Sequence, residues 1–168
     1  MKDTPTIAGA EDASGLRVGL VVSVYHEAVT TALSDGAIQA LVHAGAAADR
    51  IVVIRVPGAF EVPFAARQAA ETGRFDALVC LGCIIRGETP HFNYLASAVV
   101  HGIGTASQAT GVPISFGVLT TNTYEEAVAR AGDGTDNKGW EAAMAAVRLA
   151  NVVQDLTRGD RDRRDHDD

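Results

Sequence analysis

A chain of 168 residues, 47% hydrophobic and only 5% aromatic, has room for one domain with its own core, and that balance suits helices packed on a sheet. Its formal charge of −7 argues against nucleic acid or an anionic membrane as the main partner. No run is long enough to span a bilayer, no signal-peptide pattern opens at Met1 and two cysteines make no disulfide framework, so a cytoplasmic protein is expected.

Residues 1–15 (MKDTPTIAGAEDASG) are polar, small and without period, which predicts a flexible arm. Residues 17–24 (RVGLVVSV) read as a buried strand, and 28–44 as a helix with Val29, Leu33, Ala37 and Leu41 at helical spacing. A second strand is expected over 51–56, closed by Pro57-Gly58. A helix over 62–72 follows, with Pro63 tolerated in its first turn. The most apolar run, 77–85 (ALVCLGCII), predicts a central strand, then a helix over 92–110 and a fourth strand over 113–119. Thr123-Tyr124-Glu125-Glu126 is a capping box announcing a short helix that ends near Gly132. A last helix is expected over 138–156. The end, 157–168 (TRGDRDRRDHDD), has no apolar residue and is expected to be disordered.

Near-continuous apolar strands separated by helices imply a parallel sheet covered on both faces. The expected fold is a three-layer αβα arrangement with a four-stranded parallel sheet, flavodoxin-like. Ligands in such folds sit beyond the carboxyl ends of the strands. There this sequence places Tyr25-His26, the loop Pro57-Gly58-Ala59-Phe60-Glu61, the segment Arg86-Gly87-Glu88-Thr89-Pro90-His91 and the run Thr120 to Thr123.

The third of these loops is the most explicit. Thr89 is a good N-cap and Pro90 suits the first helical position, so backbone N–H groups converge where an anion such as phosphate binds. His91 then falls in the first turn, beside whatever is bound; the plain alternative is an ordinary capped helix with a surface His. Pro57-Gly58 is common turn punctuation, yet Phe60 and Glu61 on a sharp loop can line a pocket. Tyr25 either caps the core or stacks on a flat heterocycle, and His26 reads equally as a solvated residue before a helix. Cys80 and Cys83 lie three apart in an extended run and point to opposite faces, which argues against redox or zinc chemistry. Arg130 and Lys138 read as solvated helix-end cations or as the anion's charge partners. Lys138 is the only lysine outside the arm, and Arg130 lies on a helix leading away from the strand edge, toward a neighbouring subunit.

Taken in order, VPGAFEVP (56–63), LGCIIRGETPHF (81–92), FGVLTTNT (116–123), RAG (130–132) and NKG (137–139) resemble the lumazine synthase family over roughly 16–156. The resemblance implies condensation of 5-amino-6-(D-ribitylamino)uracil with 3,4-dihydroxy-2-butanone 4-phosphate, the penultimate step of riboflavin synthesis, with no metal and no cofactor. It implies Tyr25 stacked on the pyrimidine, with Ala59, Phe60 and Glu61 on the ribityl chain and ring. Cys83, Ile84 and Ile85 would read the ring largely through their backbone. Glu88, Thr89 and Arg130 would hold the phosphate, and His91 would transfer protons. Phe116, Arg130 and Lys138 would reach in from the adjacent subunit of a homopentamer, or of an assembly of pentamers, with riboflavin synthase a candidate partner. This chain has Tyr25 where the family more often has Phe or Trp, and His26 where Asn is frequent. Its linker Asp133-Gly134-Thr135-Asp136 keeps the length but not the residues of shell-forming members. Two other readings accompany this one. A flavin or lumazine carrier would use the same scaffold without turnover, and a covalent Schiff base would make Lys138 a nucleophile.

Overall fold

The computed structural model describes residues 4–164, with the backbone alone over 159–164. Four strands, β1 (Val18–Ser23), β2 (Ile51–Val56), β3 (Ala77–Ile85) and β4 (Ile114–Thr121), form one all-parallel sheet in the order β2-β1-β3-β4. Five α-helices cover it: α1 (Glu27–His43), α2 (Val62–Glu71), α3 (His91–Thr110), α4 (Tyr124–Arg130) and α5 (Lys138–Arg164). This is the expected flavodoxin-like layering.

Side-chain alternation sorts the core into two layers. Leu20, Val22, Val79 and Leu81 pack under α1 and α5, while Val21, Leu78, Cys80 and Ile84 pack under α2 and α3. The two central strands are buried along nearly their whole length. At the edge, β2 leaves Val52 and Val53 exposed. Leu78 and Leu81 are fully buried, each contributing about 2 kcal/mol of transfer free energy.

Small residues let α1 and α5 approach closely. A Cβ on Gly139 would lie 1.9 Å from the Leu33 carbonyl oxygen, and one on Gly36 would lie 2.4 Å from the Asn137 side chain. Buried Asn137 joins the two helices. Its Nδ2 donates to the carbonyls of Ala32 (3.1 Å) and Gly132 (2.9 Å), while its Oδ1 accepts from the N–H groups of Gly139 (2.7 Å) and Trp140 (3.2 Å). It thereby caps α5 and holds the preceding loop against α1. The Trp140 ring packs against His43, at the end of α1, with centroids 5.4 Å apart.

Three expectations change. Residues 9–15 of the arm are docked: Asn151 Nδ2 donates to the carbonyls of Ala10 (3.0 Å) and Asp12 (2.8 Å), Arg148 pairs with Glu11, and Ala13 is fully buried. The small residues that made the arm look featureless are what let it lie flat, since a Cβ on Gly9 would meet the Arg148 carbonyl oxygen at 2.2 Å. Strand β4 runs on to Thr121, because β3 continues beside it to the pair Ile85↔Thr121. Helix α5 continues past Leu156 to Arg164, and Thr157 and Arg158 on it are exposed. Residues 165–168 of the expected tail, and 1–3 of the arm, lie outside the described residues.

Replacing Asn137 with Ala leaves two carbonyls and two N–H groups without their partner, part of them buried. The Asn137→Ala variant is expected to lose about 3 kcal/mol of stability, read as a lower denaturation midpoint in urea.

Candidate active site

Strand β3 outruns β1. Their pairing ends at Val22↔Leu81, whereas β3 and β4 remain paired to Ile85↔Thr121. Beyond Leu81, the β1-facing backbone groups of β3 therefore have no strand to bond. This is also the switch point of the sheet, where the chain's connections leave β1 and β3 on opposite faces and open a crevice.

A cavity of about 920 Å³ occupies that crevice. Nine of the expected residues line it: Tyr25, Ala59, Phe60, Glu61, Cys83, Ile84, Ile85, Thr89 and His91. Tyr25 and Phe60 stand at its mouth, 68% and 65% exposed. The loop after β2 closes into a short turn over Ala59–Glu61. Gly58 makes room for the Glu61 carboxylate, as a Cβ there would sit 3.0 Å from its Oε2.

At the end of β1 the backbone N–H of Val24 donates to the Val56 carbonyl (2.8 Å) and that of Tyr25 to the Pro57 carbonyl (3.1 Å). His26 follows in the left-handed region (φ 59°, ψ 51°) and its carbonyl accepts from Val29 and Thr30, starting α1. Holding a non-glycine residue there costs about 1 kcal/mol, so the surrounding contacts must hold it. Burial pushes the imidazole pKa down and favours the neutral ring.

In the loop after β3, Thr89 does not cap α3. Pro90 occupies the N-cap position, its carbonyl accepting from Asn93 and Tyr94, and no side chain completes the cap. The helical bonds simply begin one residue later than the Thr-Pro pattern suggested. The N–H groups of Gly87, Glu88 and Thr89 make no backbone hydrogen bond among the described residues, so the loop keeps donors for an anion beside the helix N-terminus. Arg86 is occupied elsewhere: its Nε donates to Asn122 Oδ1 (3.0 Å) and its guanidinium lies over the Phe92 ring at 4.4 Å. It ties the loop to β4. Glu88 is exposed and does not line the cavity.

Tyr94, Leu95 and Ala98 were not singled out from the sequence; they share one face of α3 with His91, and the helical spacing from His91 carries that signal. His26, Gly58, Gly87 and Phe92 complete the wall. The cysteines fall on opposite faces. Burial raises Cys80 to about 12 and Cys83 to about 11, so neither thiol is a nucleophile near neutral pH, although Cys83 borders the cavity. Among the described residues no group of three or more His, Cys, Asp or Glu is placed to hold a metal ion, and no helix is long and apolar enough to cross a membrane.

Phe116, Arg130 and Lys138 are elsewhere. They line a second groove of about 400 Å³ on the open side of β4, between α4 and α5. Thr123 caps α4, its hydroxyl accepting from Glu126 N–H at 3.1 Å, while Glu126 reaches back to Asn122 N–H at 2.9 Å. Arg130, at the end of that helix, donates to the Glu126 carbonyl (3.0 Å). Lys138 Nζ meets both carboxylate oxygens of Glu141, at 2.7 and 2.9 Å.

A family model described as 6,7-dimethyl-8-ribityllumazine synthase matches residues 15–154. The chain belongs to the lumazine synthase family. A curated relative, 6,7-dimethyl-8-ribityllumazine synthase of Syntrophus aciditrophicus (strain SB), is 47% identical over 153 residues, which span 90% of this chain and 99% of the relative. Lumazine synthases are transferases of riboflavin biosynthesis. In this lumazine synthase chain the carboxyl-edge loops help build one wide cavity, and β4, α4 and α5 build a separate groove holding Arg130 and Lys138.

Proposed function

We propose that this protein condenses 5-amino-6-(D-ribitylamino)uracil with 3,4-dihydroxy-2-butanone 4-phosphate to give 6,7-dimethyl-8-ribityllumazine, phosphate and water. The observation that carries the reading is the cavity at the β1–β3 crevice in a chain of the lumazine synthase family. It presents an exposed Tyr ring, unpaired strand backbone and loop N–H groups without a backbone partner.

Each wall has a task. The flat pyrimidine stacks on Tyr25 and meets Ile84 and the free, β1-facing backbone of Cys83 and Ile85, whose donors and acceptors suit a uracil edge. Ala59, Phe60 and Glu61 take the ribityl chain, the Glu61 carboxylate accepting from hydroxyls. The phosphate rests on the N–H groups of the loop containing Glu88 and Thr89. The substrate's own amine attacks the ketone and water leaves as the Schiff base forms. Phosphate is then expelled by elimination, and the second amine closes the ring with loss of another water. His91 lies on the cavity wall where it can carry protons between these steps. Both reactants bring their own reactivity, so holding them together is the larger contribution.

The cations belong to the same site by way of a neighbour. The cavity lies at the β1–β3 crevice and the groove with Phe116, Arg130 and Lys138 lies beyond β4, so one copy's groove completes the next copy's cavity. Two different surfaces meeting head to tail make a heterologous interface, which closes into a ring; a homopentamer is the proposed assembly. Arg130 then supplies a fork for phosphate oxygens. Lys138, its ammonium held by Glu141, acts as an electrostatic anchor, and the substrate amine remains the nucleophile.

Incubating the purified protein with both substrates is expected to produce lumazine fluorescence together with released phosphate. A yield no greater than that of the uncatalysed mixture overturns the reading. His91→Ala is expected to slow turnover roughly 100-fold while pyrimidine affinity stays within a few-fold of wild type. For the shared site, His91→Ala and Arg130→Ala chains refolded together are expected to recover roughly a quarter of wild-type activity, since only some interfaces pair two intact halves. No recovery would place both residues in one chain's site.

A further inference from the structure

The ring that the substrate heterocycle meets has little support of its own. Tyr25 is among the most exposed large side chains of the molecule, on a loop between β1 and α1. Among the described residues its only aromatic partner is His26, edge-on at 4.6 Å between centroids with the planes at 68°. His26 in turn packs against Tyr124, at the first position of α4, at 6.4 Å and 47°.

Neighbouring residues in extended chain point to opposite sides, so adjacent rings do not ordinarily meet. Here they do because His26 takes the left-handed conformation, the only non-glycine residue with positive φ among the described residues. Strain of that kind persists where packing over-determines it, and it concentrates at ligand clamps. The half-buried imidazole also lines the cavity, as Tyr25 does.

We infer that His26 is a positioning residue that braces the Tyr25 ring for stacking on the flat heterocycle, with Tyr124 of α4 as its backstop. Tyr124 follows Thr123, whose hydroxyl caps α4, and Glu126 anchors the loop before it, so the backstop sits on a fixed helix start. The brace therefore links the end of β1 to the end of β4 across the rim of the crevice. It rests on the proposed lumazine synthase reading, because the heterocycle is that reading's pyrimidine.

The test is a titration of 6,7-dimethyl-8-ribityllumazine by its own fluorescence, with His26→Asn as the central variant. Asn tolerates the left-handed conformation and lacks the ring, so the backbone is kept while the brace is removed. Affinity is expected to fall roughly two- to ten-fold, with the KM for the butanone phosphate unchanged; Tyr124→Leu is expected to weaken affinity in the same direction. In a Tyr25→Ala background, His26→Asn is expected to have no further effect, since nothing remains to brace. The inference is overturned if His26→Asn binds like wild type, or if it weakens binding equally in both backgrounds, which would mean that His26 meets the ligand itself. A wild-type protein that binds no lumazine would remove the functional reading first, and the brace with it.

Discussion

The binding edge depends on a mismatch of length: β3 extends beyond its pairing with β1 while remaining paired to β4. A parallel sheet normally satisfies its backbone on both sides, and here one side is left open over the last residues of a buried strand. The loops after β1, β2 and β3 converge around that gap, each starting from a strand end that pairing has already located. The Tyr25 backbone is bonded to Pro57, and Arg86 is bonded to Thr121 and Asn122. A wide cavity follows from one unpaired strand end.

Much of this was legible because the sequence repeats one physical message. Valine- and leucine-rich runs bounded by helical spacing leave few alternatives to a covered parallel sheet, and the strands 51–56 and 77–85 fall where the pattern puts them. The residues around the cavity were legible for a different reason: they are unlike their surroundings, as with Phe60-Glu61 after Pro-Gly or His91 after Thr-Pro. What escaped was whatever depends on partners distant in sequence. Asn137 reads as a loop residue until Ala32 is beside it. Residues 9–15 read as slack until Asn151 takes hold of them. Thr89 illustrates a finer limit, since a residue suited to capping leaves the role to Pro90 when the chain turns one residue later.

The cavity and the groove divide the chemistry by type. The cavity is aromatic, aliphatic and backbone-lined, with His26, Glu61 and His91 among its polar groups; the groove holds Arg130, Lys138 and Glu141. Arg130 and Lys138 lie beside an exposed aromatic, Phe116, and Lys138 is paired there with Glu141.

The joint between α1 and α5 has an optical consequence. The chain contains a single tryptophan, and Trp140 sits in that joint, its backbone N–H donating to the Asn137 cap and its ring against His43. Ultraviolet emission from this protein therefore originates at the first turn of α5, two residues from Lys138 and on the face of the sheet away from α2 and α3. It monitors whether the helix start that carries the lysine is seated, and it does so with a side chain that lines neither the cavity nor the cationic groove.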